Sequence, residues 1–219
     1  MTHKDDIAYA QKLDREDTLA HLRREFHFPQ QPSGKKDLYF LGNSLGLQPV
    51  KTESCIQEEL KKWQEGAIRG YFEGDHPWLA FQERLAQPMA DLVGALSKEV
   101  VVMNTLTANL HFMMASFYKP TTSRFKILIE ERAFPSDHFA VESQIKQHGL
   151  CVESSLIKVS PRSGEDLLRM EDIEASIAEH GSDIALILLP GVQYYTGQVL
   201  DMQAITRLGH QHGCTVGFD

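Results

Sequence analysis

A loop of hydroxyl and amide side chains, NTLTAN at positions 104–109, follows a short apolar stretch and leads into an apolar helical pattern. The first N–H groups of a helix have no partner within the helix, and the helix dipole is positive at that end. Such a loop can therefore bind an anion such as a phosphate. Asparagine and threonine side chains also serve simply as N-caps. From this loop alone the plain N-cap is the commoner explanation, and a phosphate site is the alternative.

A second group of chemically capable residues, RAFPSD at positions 132–137, follows another apolar stretch. Phe134, held by Pro135 behind it, could present its ring face to a flat heterocycle, because aromatic rings favour stacked contacts. Ser136 or Asp137 could equally cap the helix that follows. Both interpretations stay open at this point.

Two further segments end in aromatic or acidic groups. The segment PGVQYYTGQ at 190–198 places Tyr194 and Tyr195 beside glycines, either as substrate contacts or as loop packing. Asp219 follows the apolar stretch TVGF, where a carboxylate binds a cationic nitrogen or caps a helix. Each signal is weak alone. Together the four segments predict a phosphate cradle, an aromatic face and a carboxylate along one edge of a sheet.

The elements that position these residues are predicted to be alternating strands and helices. Helices between strands imply crossover connections, and therefore a mostly parallel sheet that is covered on both faces. Ligands of such sheets bind at the carboxyl ends of the strands, where all four segments lie. Strands are predicted at 100–103, 126–130, 152–159, 184–189 and 214–218, and helices at 109–118, 136–148, 170–180 and 202–212, the last three each followed by a glycine suited to the left-handed conformation.

The first third of the chain is predicted to be helical. Ile56, Leu60, Trp63 and Ala67 recur at spacings of three and four residues, which places them on one face of a helix. A similar pattern covers 79–96, with the proline at position 88 as a candidate kink, and the glycines within 39–47 predict a structured turn. We expect an N-terminal helical segment over 1–98 and an α/β domain over 99–219.

Composition and charge narrow the functional classes. The chain has 219 residues, and 22 Lys and Arg against 30 Asp and Glu give a net charge of −8. An acidic balance favours solubility and argues against a broad nucleic-acid or anionic-membrane surface. The N-terminus MTHKDD lacks the apolar core of a signal peptide, and the longest apolar runs are too short to span a bilayer. A soluble cytoplasmic protein is expected.

Several motifs of other chemistries are absent from the sequence. There is no G-x-x-x-x-G-K-[ST] phosphate loop, no G-x-G-x-x-G after a strand and no H-E-x-x-H. The three cysteines are far apart without a C-x-x-C. His210 and His212 are expected on different sides of their helix. No metal site is predicted.

Five segments together resemble the kynureninase family, in the family's order across nearly the whole chain. They are FLGNSLGLQP from Phe40, MNTLTANLH from Met103, AFPSDH from Ala133, YTGQ from Tyr195 and VGFD from Val216. The resemblance implies a pyridoxal 5′-phosphate (PLP) enzyme of fold type I, related to class V aminotransferases. It further implies hydrolysis of L-kynurenine or 3-hydroxykynurenine to anthranilate or 3-hydroxyanthranilate and L-alanine, in tryptophan catabolism and NAD biosynthesis, by a homodimer.

The resemblance also implies a set of cofactor residues. Leu106 and Thr107 would bind the PLP phosphate, and Phe134 would stack on the pyridine ring. Asp219 would pair with the protonated pyridine nitrogen, which keeps the ring an electron sink. Three neighbours in one segment would complete the cofactor shell: Pro135, Ser136 and Asp137.

For the substrate, the resemblance implies that Ser44 lies nearby. Tyr71 stands where many family members have a histidine close to the substrate's aromatic ring, which leaves the preference between kynurenine and its 3-hydroxy form open.

Other groups of the family come later in its sequence than the position of Asp219: a histidine, the lysine that holds PLP covalently and an arginine for the substrate carboxylate. We therefore predict no catalytic residue in this chain and expect an N-terminal fragment without turnover of its own. Two alternatives remain. One is another class V-like PLP enzyme, against which FLGNSLGLQP argues, and the other is a noncatalytic partner or dimerisation module.

Overall fold

The computed structural model of the chain describes residues 6–219, and residues 1–5 of the predicted N-terminal segment lie outside the described residues. The chain divides into two compact units, the first ending at Val102 and the second running from Met103 to Asp219. Within the described residues, no helix is long and apolar enough to cross a membrane.

The described part of the first unit is helical, as expected. Helix α2 confirms the helix predicted from Ile56, Leu60 and Trp63, but it ends at Gly66, because Ala67 has a positive φ of 46° that breaks the helix. Helix α3 continues through Pro88 to a left-handed Gly94 at φ 70°. The unit consists of α1 (Ile7–Glu16), α2 (Thr52–Gly66), α3 (Phe81–Val93) and short 3-10 segments at Ala20–Glu25, Ala67–Tyr71, Trp78–Ala80 and Ser97–Glu99.

The second unit alternates helices with strands, as the sequence predicts. Its elements are α4 (Leu106–Phe117), β1 (Lys126–Glu130), α5 (Pro135–Gln147), α6 (Val152–Ser155), β2 (Leu156–Val159), α7 (Met170–His180), β3 (Ile184–Leu189), α8 (Met202–Gln211) and β4 (Thr215–Phe218). The strands lie in the order β2-β1-β3-β4, and every pair is parallel. The carboxyl ends of all four strands therefore point to one edge of the sheet.

Both faces of the central strands are buried, because alternate side chains point to opposite faces. Ile127, Ile129 and Leu186 belong to one core cluster, which includes residues of α4 and α5. Leu128 and Ile187 belong to the other, which includes residues of α7 and α8. All six residues of β3 are buried, and each fully buried isoleucine or leucine stabilises the fold by roughly 1.5–3 kcal/mol.

Arg124 joins the chain before β1 to the ends of two helices. Its Nη1 donates to the carbonyl oxygens of Gly181 at 2.8 Å and Ile184 at 2.6 Å, and its Nη2 donates to the carbonyl oxygen of His212 at 2.8 Å. The last carbonyl groups of a helix have no partner within it. Arg124 thus satisfies carbonyl groups just beyond α7 and α8.

Two of the predicted strands are wrong in part or in whole. Residues 100–103 form no strand, because they pair with no neighbouring strand within the described residues, and Val101 stays 53% exposed. Residues 152–155 form a helical turn, α6, in which the Ser155 N–H and the Ser154 hydroxyl both donate to the Cys151 carbonyl. Local bonds from serine therefore prevail over strand pairing there.

Two smaller expectations also differ from the structure. Gly149 and Gly213 are left-handed at φ 71° as predicted, but Gly181 has an ordinary φ of −58°. A Cβ atom on Gly181 would lie 2.5 Å from the His212 ring, so close packing requires that glycine. Helix α4 starts at Leu106, three residues before the predicted start at 109.

Candidate functional site

The start of α4 presents the first part of the predicted site. Thr105 is the N-cap residue of α4, but its side chain makes no capping bond. The interpretation of the loop as a plain side-chain N-cap is therefore wrong for Thr105. Asn109 instead donates from Nδ2 to the carbonyl oxygen of Met103 at 2.8 Å and accepts from Asn104 at 3.3 Å, which holds the loop against the helix. The backbone N–H groups of the first turn, which includes Leu106 and Thr107, remain available to an anion.

The second part of the site is a pair of carboxyl groups at the edge of the sheet. Asp137 lies in the first turn of α5 and is 5% exposed, and the hydroxyl of Ser136 donates to its Oδ1 at 3.2 Å. Asp219 follows β4 directly, and its carboxyl lies next to that of Asp137. The backbone holds Asp219 in place, because its N–H donates to the Leu189 carbonyl at 3.3 Å and its carbonyl accepts from Gly191 at 3.1 Å.

The ionisation of Asp219 depends on its surroundings. Desolvation, the adjacent Asp137 carboxyl and the charge of Glu130 together raise the pKa of Asp219 to about 7. Residue 219 is exposed as a whole, so the desolvation of its carboxyl is partial. A cation placed beside Asp219 would reverse this shift, since an opposite charge favours the ionised carboxylate.

Phe134 forms the third part of the site. It is the N-cap residue of α5, directly before Pro135, and its side chain is not part of a buried core. Phe134 is 49% exposed, and the Tyr194 ring meets its ring at a centroid distance of 5.0 Å and an interplanar angle of 82°. This edge-to-face contact leaves ring surface of Phe134 open to a flat ligand.

A cavity of about 310 Å³ connects two of these parts. Leu106 from the start of α4 and Asp219 from the end of β4 both line it, together with apolar side chains of α4 and β3. The structure thus brings Leu106, Asp219 and Asp137 together at one edge of the sheet, as the sequence predicts, although their roles remain predictions.

The two predicted substrate residues belong to the first unit. Ser44 is exposed in the turn after Phe40, where its N–H donates to the Leu41 carbonyl at 2.9 Å. Tyr71 is 45% exposed and meets the Trp78 ring edge to face at 5.3 Å, in the wall of an apolar cavity. Their roles near a substrate also stay predictions.

The sequence analysis did not identify two buried polar residues at the sheet edge. Glu130, the last residue of β1, is 3% exposed, and Gln193, in the loop after β3, is 5% exposed. Gln193 Nε2 donates to Glu130 Oε1 at 3.1 Å. A glutamate directly after the apolar run ILI of β1 was the available signal, because buried carboxyls need partners. Among the described residues, no group of three or more His, Cys, Asp or Glu side chains could hold a metal ion.

Similarity to known proteins is extensive. No protein-family model matches the chain. It is 50% identical over 216 residues to a kynureninase of Myxococcus xanthus, a match that covers 99% of this chain and 51% of that protein. It is 49% identical over 225 residues to a kynureninase of Mus musculus, and 47% identical over 228 residues to one of Homo sapiens. These matches cover 98% and 99% of this chain, and 48% and 49% of those proteins. The chain spans about half the length of these relatives.

Solved structures show the same fold. A cysteine desulfurase from Thermococcus onnurineus NA1 matches with a TM-score of 0.61 and 17% identity, over 90% of this chain and 46% of that one. A C-DES mutant with glycine covalently linked to its PLP cofactor matches with a TM-score of 0.60 and 15% identity, over 90% of this chain and 46% of that one. At such identities the likeness shows the fold alone. It confirms the predicted α/β fold, a parallel sheet flanked by helices.

Proposed function

Because this chain is homologous to kynureninases along almost its whole length, we propose that it forms the cofactor-binding part of a kynureninase. The observation that carries the proposal is the Asp137–Asp219 carboxyl pair at the carboxyl edge of a parallel sheet. Two adjacent carboxyls, one of them with a raised pKa, form an acidic site that a cation would stabilise.

The residues at this edge fit PLP. The unbonded N–H groups at the start of α4, at Leu106 and Thr107, suit its phosphate. The half-exposed ring of Phe134 suits a flat pyridine. Asp219 suits the protonated pyridine nitrogen, since an adjacent cation lowers the pKa of a carboxyl and keeps it ionised.

PLP, when bound, would supply an electron sink that stabilises a carbanion at the amine-bearing carbon or at the carbon next to it. The proposed contributions of this chain are binding and orientation. Leu106 and Thr107 anchor the phosphate, Phe134 fixes the plane of the ring, and Asp219 keeps the proton on the ring nitrogen. Asp137, in turn, adds negative charge behind Asp219 and raises the affinity for that proton.

The proposed substrate is a small molecule, L-kynurenine or its 3-hydroxy form, cleaved at a carbon–carbon bond. Ser44 and Tyr71 are proposed to contact it, and Tyr71 in particular the aromatic ring. We further propose that the full-length protein is a cytoplasmic homodimer. Light scattering of the purified full-length protein would give its mass in solution.

Binding of PLP to the 219-residue chain tests the cofactor proposal. We expect saturable quenching of tyrosine and tryptophan fluorescence by PLP, and at least tenfold weaker binding after Asp219→Asn, which removes the partner of a charged nitrogen. Equal affinity of the parent and the variant would contradict the proposed role of Asp219.

Activity of the full-length gene product tests the reaction. We expect release of anthranilate from L-kynurenine and no sulfur release from cysteine. The reverse result would favour another class V-like PLP enzyme over a kynureninase.

A further inference from the structure

The loop after β3 folds back on itself as a narrow hairpin. Val192 and Val199 form an antiparallel bridge, and the Gln193 N–H donates to the Gln198 carbonyl at 2.8 Å. Gln193 stands at the start of this hairpin and is almost fully buried. A buried amide is costly unless its donors and acceptor are satisfied, so the partners of Gln193 indicate what it holds in place.

The side chain of Gln193 ties the hairpin to the end of β1. Its Nε2 donates to Glu130 Oε1 and to the carbonyl oxygen of Arg132, each at 3.1 Å. Its Oε1 accepts from the backbone N–H of Tyr195 at 2.7 Å and of Thr196 at 2.9 Å. One amide therefore connects the end of β1 to the tip of the hairpin.

Glu130 can accept a hydrogen bond from this amide in either of its protonation states. It closes β1 and is 3% exposed. Burial raises the pKa of its carboxyl, whereas the Gln193 bond and the charges of His138 and Arg132 oppose that shift. A carboxyl oxygen accepts from an amide N–H in its charged and in its neutral form, so the contact persists in either protonation state.

The hairpin tip carries Tyr194 to Phe134. The two rings meet edge to face, yet each of the two residues is 49% exposed. Half-exposed rings are not fixed by surrounding packing, so the backbone that carries Tyr194 must fix the contact. That backbone is held by the Oε1 atom of Gln193.

We propose that Gln193 is a positioning residue for Phe134. It ties the turn 194–196 to β1, sets the Tyr194 ring against Phe134, and so orients the phenyl face that a flat ligand would meet. The identity of that ligand rests on the proposed function, but the ring geometry does not.

Gln198 provides a matched control in the same hairpin. Its Nε2 donates to the Leu168 carbonyl at 2.6 Å, and its Oε1 accepts from the Leu168 N–H at 2.9 Å. It is therefore a second glutamine whose amide makes backbone bonds, but it holds the segment before α7 and not the tip. Gln198→Ala should destabilise the loop without turning Phe134.

The first measurement is the ¹H–¹³C NMR spectrum of the Phe134 ring without any ligand. The ring current of Tyr194 shifts these signals, and Tyr194→Leu gives their values without it. We expect Gln193→Ala to move the Phe134 signals most of the way to those values. Gln198→Ala and Glu130→Gln, which retains the acceptor for Gln193, should leave them in place.

A double variant protects the test against loss of folding. Gln193→Ala leaves Glu130 buried without its donor, whereas Glu130→Leu with Gln193→Leu removes both polar groups, which is far less costly. The double variant lacks the acceptor for the turn, so it too should shift the Phe134 signals.

The second measurement is the affinity for PLP. The dissociation constant should rise roughly three- to tenfold in Gln193→Ala and in the double variant, the usual value of an aromatic contact, and stay within about twofold in Gln198→Ala. Unchanged Phe134 signals in a folded variant without Gln193, or equal shifts in Gln198→Ala, would overturn the inference. If the parent chain binds no PLP, the proposed function fails, and the ring signals still decide the role of Gln193.

Discussion

The carboxyl of Asp219 is the single group whose ionisation at the site is most altered. Its pKa is raised to about 7 from an ordinary value of 3.8. Between these values the folded chain holds a proton that the unfolded chain has lost. The free energy of unfolding contributed by this group therefore falls as pH rises from about 4 to about 7.

Asp219→Asn should abolish that fall. We expect the variant to be more stable than the parent by about 1 kcal/mol at pH 8, once solvent screening at an exposed position is allowed for, and equal to it below pH 4. Urea unfolding of both proteins across this pH range measures the difference. Asp166→Asn, at a side chain that is 88% exposed, is the control and should show no such pH dependence. A difference between Asp219→Asn and the parent that does not vary with pH would contradict the raised pKa.

Phe134→Leu tests the aromatic face. Leucine keeps an apolar side chain but offers no ring, so the dissociation constant for PLP should rise roughly three- to tenfold. Phe139→Leu is the matched control, because Phe139 lies in α5, the helix that Phe134 precedes, and is 72% exposed. Fluorescence titration gives both constants. Equal effects of the two substitutions would argue against stacking on Phe134.

At the scale of elements, Arg124 couples the ends of α7 and α8 to the chain before β1. Arg124→Ala leaves the carbonyl oxygens of Gly181, Ile184 and His212 without this donor, so we expect a loss of about 3 kcal/mol in the free energy of unfolding. Urea unfolding followed by circular dichroism measures it. Arg132→Ala breaks an exposed ion pair with Asp166 and should cost less than about 1 kcal/mol. Similar losses in both variants would refute the special role of Arg124.

Helix α8 approaches the sheet closely at a glycine. A Cβ atom on Gly209 would lie 2.5 Å from Val216 Cγ2 and 3.0 Å from Ile187 Cδ1. Gly209→Ala should therefore reduce the free energy of unfolding by about 1–3 kcal/mol, and Val216→Ala in the same chain should recover part of it. Gly217→Ala is the control, since its nearest neighbour would be 3.6 Å away. No recovery in the double variant would show that crowding is not the cause.

Elements with complete local signals were predictable from the sequence. The run IALILL gave β3 at its observed bounds, since an apolar run of six followed by Pro190 and Gly191 suits a buried strand. The strand predicted at 100–103 does not form, because strand formation depends on a distant partner strand that periodicity does not reveal. Of the candidate site, Asp219 and Phe134 are predicted from residue type and position, and their roles stay predictions. Gln193 was missed, because its role depends on a bond to Glu130, 63 positions earlier.

At the scale of the molecule, the two units differ in how much apolar surface they bury. Ala90 is the only buried hydrophobic residue among those described up to Val102. Leu38 and Phe40 are 85% and 87% exposed, whereas β1 and β3 are fully covered along most of their length. Segments with few buried apolar contacts open locally at low free energy.

Hydrogen exchange should reflect this difference. In the 219-residue chain we expect amides of α2 and α3 to exchange at least ~100-fold faster than those of β1 and β3, because local opening of a thinly packed unit needs little free energy. Mass spectrometry of peptides from each unit measures the rates. Comparable protection in both units would contradict the expectation.

The strand order β2-β1-β3-β4 also determines when each strand can pair with its neighbours during translation. β1 is made first, but its central partner β3 comes much later, since Leu128 pairs with Ile187, 59 residues further on. At translation rates of about 5–20 residues per second, the interval is roughly 3 to 12 seconds. During that time the nascent chain carries the apolar run of β1 with at least one of its two neighbouring strands still unmade. A ribosome-bound chaperone would protect the most apolar surface in this period.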